Sequence, residues 1–124
     1  MTKKRIRIKD HIGTWRIREM DQWDMDYVDM ESPGRIVIGK NGQGEIHFGA
    51  VGIEIDCRLE PHERSARLGF SFEGNDEGDP VSGRGWVLAD GEEMTGHLFF
   101  HLGDDSGFKA KRQNIKATNK RGNE

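Results

Sequence analysis

The sequence predicts an all-β protein: a single antiparallel up-and-down barrel of about eight strands, with one short helix after the first strand. Three observations carry this. Apolar residues recur at every second position through most of the chain, the period of a half-buried strand. Seventeen Gly against three Pro, with six Phe, three Trp and one Tyr, suit an aromatic core punctuated by tight turns. A length of 124 residues is that of one domain and not two. One-sided burial along successive antiparallel strands requires closure into a barrel, or a two-sheet sandwich as the alternative.

The elements follow in order. Ile12 to Glu19 sets Gly13, Trp15 and Ile17 on one face against Thr14, Arg16 and Arg18. Met20, Trp23, Tyr27 and Met30 are then spaced as one stripe of a helix, with Asp21 placed as its N-cap and Pro33-Gly34 ending it. Ile36-Val37-Ile38 is a short β-branched strand, and Asn41-Gly42 is a hairpin signal. Ile46, Phe48 and Ala50 share a face, as do Ile53, Ile55, Cys57 and Leu59. The change of parity between those two groups predicts a tight turn or bulge at Val51-Gly52. Leu68, Phe70 and Phe72 make the next face, and Gly85 to Ala89 a further strand before a turn at Asp90-Gly91. Leu98, Phe100 and Leu102 oppose His97, Phe99 and His101, and Phe108, Ala110 and Arg112 close the series. The organisation expected is a basic arm over 1–11, a barrel over 12–113 and a disordered basic tail over 114–124.

Charge is segregated behind a net value of −3. The first nine residues hold five cations and no acid, and residues 109–124 hold six cations and one acid. The body between them holds eight cations and twenty-one acids. That distribution is no match for nucleic acid, which needs a continuous basic surface. No apolar run is long enough for a membrane span, and MTKKRIRIKD is no secretory signal. A lone cysteine, Cys57, offers no disulfide framework, so a cytoplasmic location is expected.

Two resemblances add to this reading. Gly13-Thr14-Trp15 resembles the Gly-x-Trp signature of the calycin barrels, the lipocalin and avidin group. The resemblance implies a last-strand Arg covering the first-strand Trp at the closed end, and Arg112 has the parity for that role. A set of blocks is similar to a group of small hypothetical bacterial proteins: Trp23-Asp24-Met25-Asp26-Tyr27, Phe70-Ser71-Phe72-Glu73-Gly74-Asn75-Asp76-Glu77, Gly83-Arg84-Gly85-Trp86 and His101-x-Gly103-Asp104-Asp105-Ser106-x-Phe108. That resemblance implies no activity, cofactor or catalytic residue.

Several clusters are candidates for chemistry. Glu73 to Asp79 carries four acids and an amide, a composition that suits Ca²⁺, but its spacing is not that of an EF-hand and a long hairpin loop accounts for it better. His97 and His101, four apart on a strand, stand about 13 Å apart and cannot share one zinc. A triad from Ser106, His101 and Asp104 or Asp105 lacks a nucleophile elbow, so a His101–Asp104 or His101–Ser106 turn contact is preferred. Arg84 and Trp86 share a face on which the guanidinium can stack over the indole. Cys57 reads as a small buried hydrophobe.

The leading functional reading is a non-catalytic barrel whose mouth receives a small molecule or peptide. Its walls are the Trp23–Tyr27 segment, the 73–80 loop and the 103–107 turn. The expected ligand-binding residues are Trp23, Asp24, Tyr27, Asn75, Asp76, Arg84, Trp86, His101 and Asp104, with Gly13, Trp15 and Arg112 closing the barrel. No cofactor or metal is expected. The runner-up is an interaction module presenting an acidic face to a cationic partner, with a homodimer among the arrangements it allows. A small hydrolase or metal-assisted enzyme ranks last.

Overall fold

The computed structural model describes residues 5–113. A short 3-10 turn over Ile8–His11 leads into β1 (Gly13–Met20). One helical turn, α1 (Met25–Val28), follows, and then β2 (Arg35–Ile38), β3 (Gln43–Phe48), β4 (Val51–His62), β5 (Ser65–Asp76), β6 (Asp79–Asp90), β7 (Glu93–Phe100) and β8 (Asp105–Arg112). Each strand pairs antiparallel with the next, and β8 returns to β1, so the sheet is one closed barrel and not a sandwich. The closing register sets Trp15 opposite Arg112, Ile17 opposite Ala110 and Met20 opposite Phe108, with a bulge between Ile17 and Glu19. Among the described residues no helix is long and apolar enough to cross a membrane.

Alternation along these strands fills the interior with side chains. Trp15, Ile17, Ile46, Phe48, Ile53, Ile55, Leu68, Phe70, Phe72, Leu98 and Phe108 are all buried, as expected, and Phe100 is partly so. Ile36, Ile38, Val51, Val87 and Met94 complete the packing.

Four local expectations need correction. The turn between β3 and β4 is Gly49-Ala50, not Val51-Gly52: Phe48 pairs with Val51, and Gly49 takes the positive φ (+56°) that the hairpin needs. The Met20–Met30 stripe is not one helix. After Met20 the chain stays with β8, because the Asp21 N–H donates to the Gly107 carbonyl and its carboxylate accepts the Gly107 N–H. The N-cap is therefore Asp24, whose side chain accepts from the Tyr27 N–H (3.1 Å). The turn then stops at Asp29, where the carboxylate takes two bonds from Arg16 and one from the Gly34 N–H. Those donors, Arg16 foremost, hold the Asp29 carboxyl below its ordinary pKa. Residues 73–80 are not a long loop: β5 and β6 run on to a two-residue turn, Glu77-Gly78, with both residues at positive φ. Finally, β7 ends at Phe100, so His101 and Leu102 lie in a turn and Leu102 is 94% exposed.

The end where β1 begins is sealed by polar contacts around one indole. The Trp15 Nε1–H donates to the His11 carbonyl (3.0 Å), and the Arg112 guanidinium lies 4.2 Å over the ring. Arg112 also donates to the Ile12 and Asp10 carbonyls (2.8 and 2.9 Å), which locks the 3-10 turn across the barrel floor. Gly13 is required here twice over. Its φ is +131°, and a Cβ would meet the Arg112 guanidinium at 2.9 Å.

His11, within the segment read as a basic arm, is fully buried. Its Nδ1 is 2.9 Å from the Arg7 carbonyl and its Nε2 accepts the Ala89 N–H at 3.1 Å. The carbonyl can only accept and the amide only donate, so the ring is the neutral Nδ1–H tautomer. Burial pushes its pKa below the ordinary 6.5, and nearby Arg112 acts in the same direction. The unfolded chain therefore binds the proton more readily, and the contribution of His11 is complete above the unfolded value and lost as pH falls below 6.5. Urea midpoints measured across that range should fall more steeply for the wild type than for His11→Gln. Parallel curves would show that His11 is not a buried neutral ring.

Candidate functional site

The opposite end of the barrel, where β5 and β7 end and β6 begins, holds a cleft of about 360 Å³. It is lined by Trp23, Asp76, Val81, Phe100, His101 and Asp104, together with Pro80, Ser82 and Gly103. Strand parity explains the arrangement. Phe72, Gly74 and Asp76 continue one inward row on β5, Val81 begins the corresponding row on β6, and Leu98 and Phe100 end it on β7. Below the rim these rows are filled, so the cleft is a shallow depression over a packed core, not a cavity running down the barrel.

Its floor is aromatic. Trp23 packs against Phe48 (5.0 Å between centroids), Phe100 (6.3 Å) and Tyr27 (6.4 Å), while Phe72 meets Phe100 edge-on at 5.2 Å. Trp23 is placed by α1, whose Tyr27 ring lies over Gly49. The Tyr27 hydroxyl accepts the Ala50 N–H (3.2 Å), and the Gly49 N–H donates to Val28 (2.8 Å). A side chain at Gly49 would occupy the space of the Tyr27 ring, so the β3–β4 turn and α1 are fitted to each other. The cleft's other wall is the 101–104 turn, held where the His101 N–H donates to Ser82 (2.8 Å) and the Phe100 N–H to Asp104 (2.9 Å).

Of the nine ligand-binding residues expected from the sequence, four line this cleft: Trp23, Asp76, His101 and Asp104. Asp24 and Tyr27 support it from behind, as helix cap and turn clamp. Asn75 has the opposite parity and faces the outer surface, beside Glu73. Arg84 and Trp86 also point outward, away from the mouth. They do not stack on each other: the Arg84 guanidinium lies 4.8 Å over Phe99, and Trp86 is covered by Arg67 at 4.8 Å and by His62. The register gives the reason. Arg84 sits directly opposite Phe99, and cross-strand neighbours are closer than the i, i+2 residues of one strand.

The expected His101 turn contact is replaced by another. His97 Nε2 meets the Asp105 carboxylate at 2.6 Å, on the outer face, and His101 is exposed. The Ser106 hydroxyl is buried, donating to the Gly107 carbonyl and accepting from the Gln22 N–H, so the triad of Ser106, His101 and Asp104 or Asp105 does not form. Cys57 is buried in the core opposite Phe70, and burial pushes its thiol up to about 12, the reverse of an activated nucleophile. Among the described residues no three His, Cys, Asp or Glu side chains converge as a metal site.

Sequence reading missed Val81 and Ser82 as cleft residues, and expected Phe100 only in the core. The signal was present: extending the parity of Val87 back through Gly85 and Gly83 leads to Val81. No protein family, curated protein or solved structure matches the chain.

Proposed function

We propose that this protein is a non-catalytic barrel that binds a small molecule, or one side chain of a peptide, in the cleft at its mouth. The observation that carries the reading is the cleft itself. Trp23 and Phe100 offer partly exposed aromatic surface beside Asp76, His101 and Asp104, at the one end of the barrel not sealed by the Trp15–Arg112 contacts. Partly apolar concavities with a few convergent polar groups are the usual form of a ligand site. The calycin resemblance of Gly13-Thr14-Trp15 supports the same reading, and the single buried cysteine supports a reducing, cytoplasmic setting.

The test is an NMR titration with indole, benzyl alcohol, benzoate and butylamine as probes. At least one should shift the Trp23 indole and the amides of Val81, Phe100 and Gly103, and Trp23→Ala should weaken that binding about tenfold or more, equivalent to 1.4 kcal/mol. Silence at these signals for all four probes would overturn the reading.

A second reading has its own observation. Glu45, Glu54 and Glu73 lie directly opposite one another on β3, β4 and β5, on the outer face, with Asp56 in the next row. Like charges in cross-strand register cost stability, and a cationic protein partner laid across them would offset that cost. Capture by an immobilised oligolysine that is lost at high salt, and lost in Glu54→Gln, would favour this surface.

A further inference from the structure

Resting on the mouth as the binding site, we propose that its ligand is a small organic cation, a substituted ammonium held over Trp23 and Phe100 between the carboxylates of Asp76 and Asp104. Three observations point the same way. Among the described residues, those lining the cleft include no Lys or Arg, and His101 is their only basic side chain. Asp76 and Asp104 have no side-chain hydrogen bond or ion pair among the described residues, in contrast to Asp29, which is saturated by Arg16 and Gly34. The two carboxylates therefore leave acceptor capacity directed at the cleft instead of at the protein.

The aromatic floor supplies the second half of the recognition. The faces of Trp and Phe carry the negative side of the ring quadrupole, and Trp is the strongest of the aromatic platforms for a cation. Three of the barrel's guanidiniums lie over rings elsewhere: Arg112 over Trp15 at the sealed end, Arg84 over Phe99 and Arg67 over Trp86 on the outer wall. Among the described residues, Trp23 is the one tryptophan of the three with no guanidinium over its ring, and it is the one that lines the cleft. The segment leading to it adds to the local field, with Asp21, Asp24 and Asp26 exposed. An anion would meet two carboxylates and no compensating cation. A neutral ligand would leave those carboxylates unpaired and partly desolvated. An ammonium with methyl or methylene substituents satisfies both walls at once, and a cleft of about 360 Å³ has room for it.

The experiment compares choline with its neutral carbon isostere, 3,3-dimethylbutan-1-ol, by NMR titration of the full chain, monitored at the Trp23 indole and at Val81, Phe100 and Gly103. A third arm uses N-acetyl-trimethyllysine methylamide, which carries the same headgroup on a peptide side chain. Choline or the trimethyllysine derivative should bind at least about tenfold more tightly than the isostere. The tighter of the two identifies a free amine or a peptide as the source. Asp76→Asn with Asp104→Asn should remove that difference. Isostere binding at the same signals as tightly as choline would overturn the cation and leave the mouth intact as a site. Cations that produce no shift there would overturn it too, and the neutral and anionic probes named above then decide whether the mouth binds anything.

Discussion

Trp15→Ala is expected to lower the unfolding free energy by about 3–5 kcal/mol, the range of a large aromatic deletion in a packed core. Three losses combine at this position. The indole is fully buried, so its removal opens a cavity beneath the 3-10 turn. The His11 carbonyl loses the Nε1–H that it accepts at 3.0 Å. The Arg112 guanidinium loses the ring that it covers at 4.2 Å, while its bonds to Asp10 and Ile12 have to hold the floor alone. Small domains have total stabilities of about 5–15 kcal/mol, so this one change takes a large share. A urea titration should show a lower midpoint with an unchanged slope. Trp15→Phe, which keeps a ring but loses the donor, should fall between the wild type and the alanine variant. A loss under about 1 kcal/mol in Trp15→Ala would show that the floor does not depend on the indole.

The same residue shows how far the sequence could be read. Gly13-Thr14-Trp15, with its alternation into Ile17, was enough to place an inward indole at one end, and the parity of Phe108, Ala110 and Arg112 identified the strand that meets it. Period-two burial is a local signal, and it survives whatever the strands do next. The cleft was less legible because it depends on where strands stop. Glu73 to Asp79 has the composition of a loop, but two residues, Glu77 and Gly78, are sufficient to turn the chain, and pairing of Asn75 with Pro80 and Asp76 with Asp79 outweighs the low strand propensity of Asn, Asp and Pro. In the 20–30 segment, Met20, Trp23, Tyr27 and Met30 have helical spacing, but the bonds of the Asp21 N–H and carboxylate to Gly107 hold the first residues to β8, and only Met25–Val28 turns as a helix. Alternation puts Arg84 and Trp86 on a common face, but it does not say which side of the sheet that face is on. That was decided by Gly83 and Gly85, which must face the packed interior.

Gly85→Ala should test that decision with the opposite sign from ordinary propensity. Replacing a strand glycine by alanine normally stabilises by roughly 0.5–1 kcal/mol, because the unfolded chain loses freedom. Here a Cβ would meet Phe70 Cζ at 2.6 Å and press on the His97 carbonyl across the β6–β7 ladder. Gly83 is under the same constraint, with Phe72 Cζ at 2.7 Å and the Phe99 carbonyl closer still. The missing side chains on β6 are the space into which the Phe70 and Phe72 rings project, and overpacking such a site costs about 1–3 kcal/mol. Gly85→Ala is therefore expected to destabilise. Adding Phe70→Leu should recover part of the loss, since leucine withdraws the atom at the Cζ position, but not all of it, since the His97 carbonyl belongs to the backbone and cannot withdraw. In a double-mutant cycle the two changes should be coupled favourably by about 0.5–3 kcal/mol, whereas strict additivity would show that the ring and the glycine do not share that space.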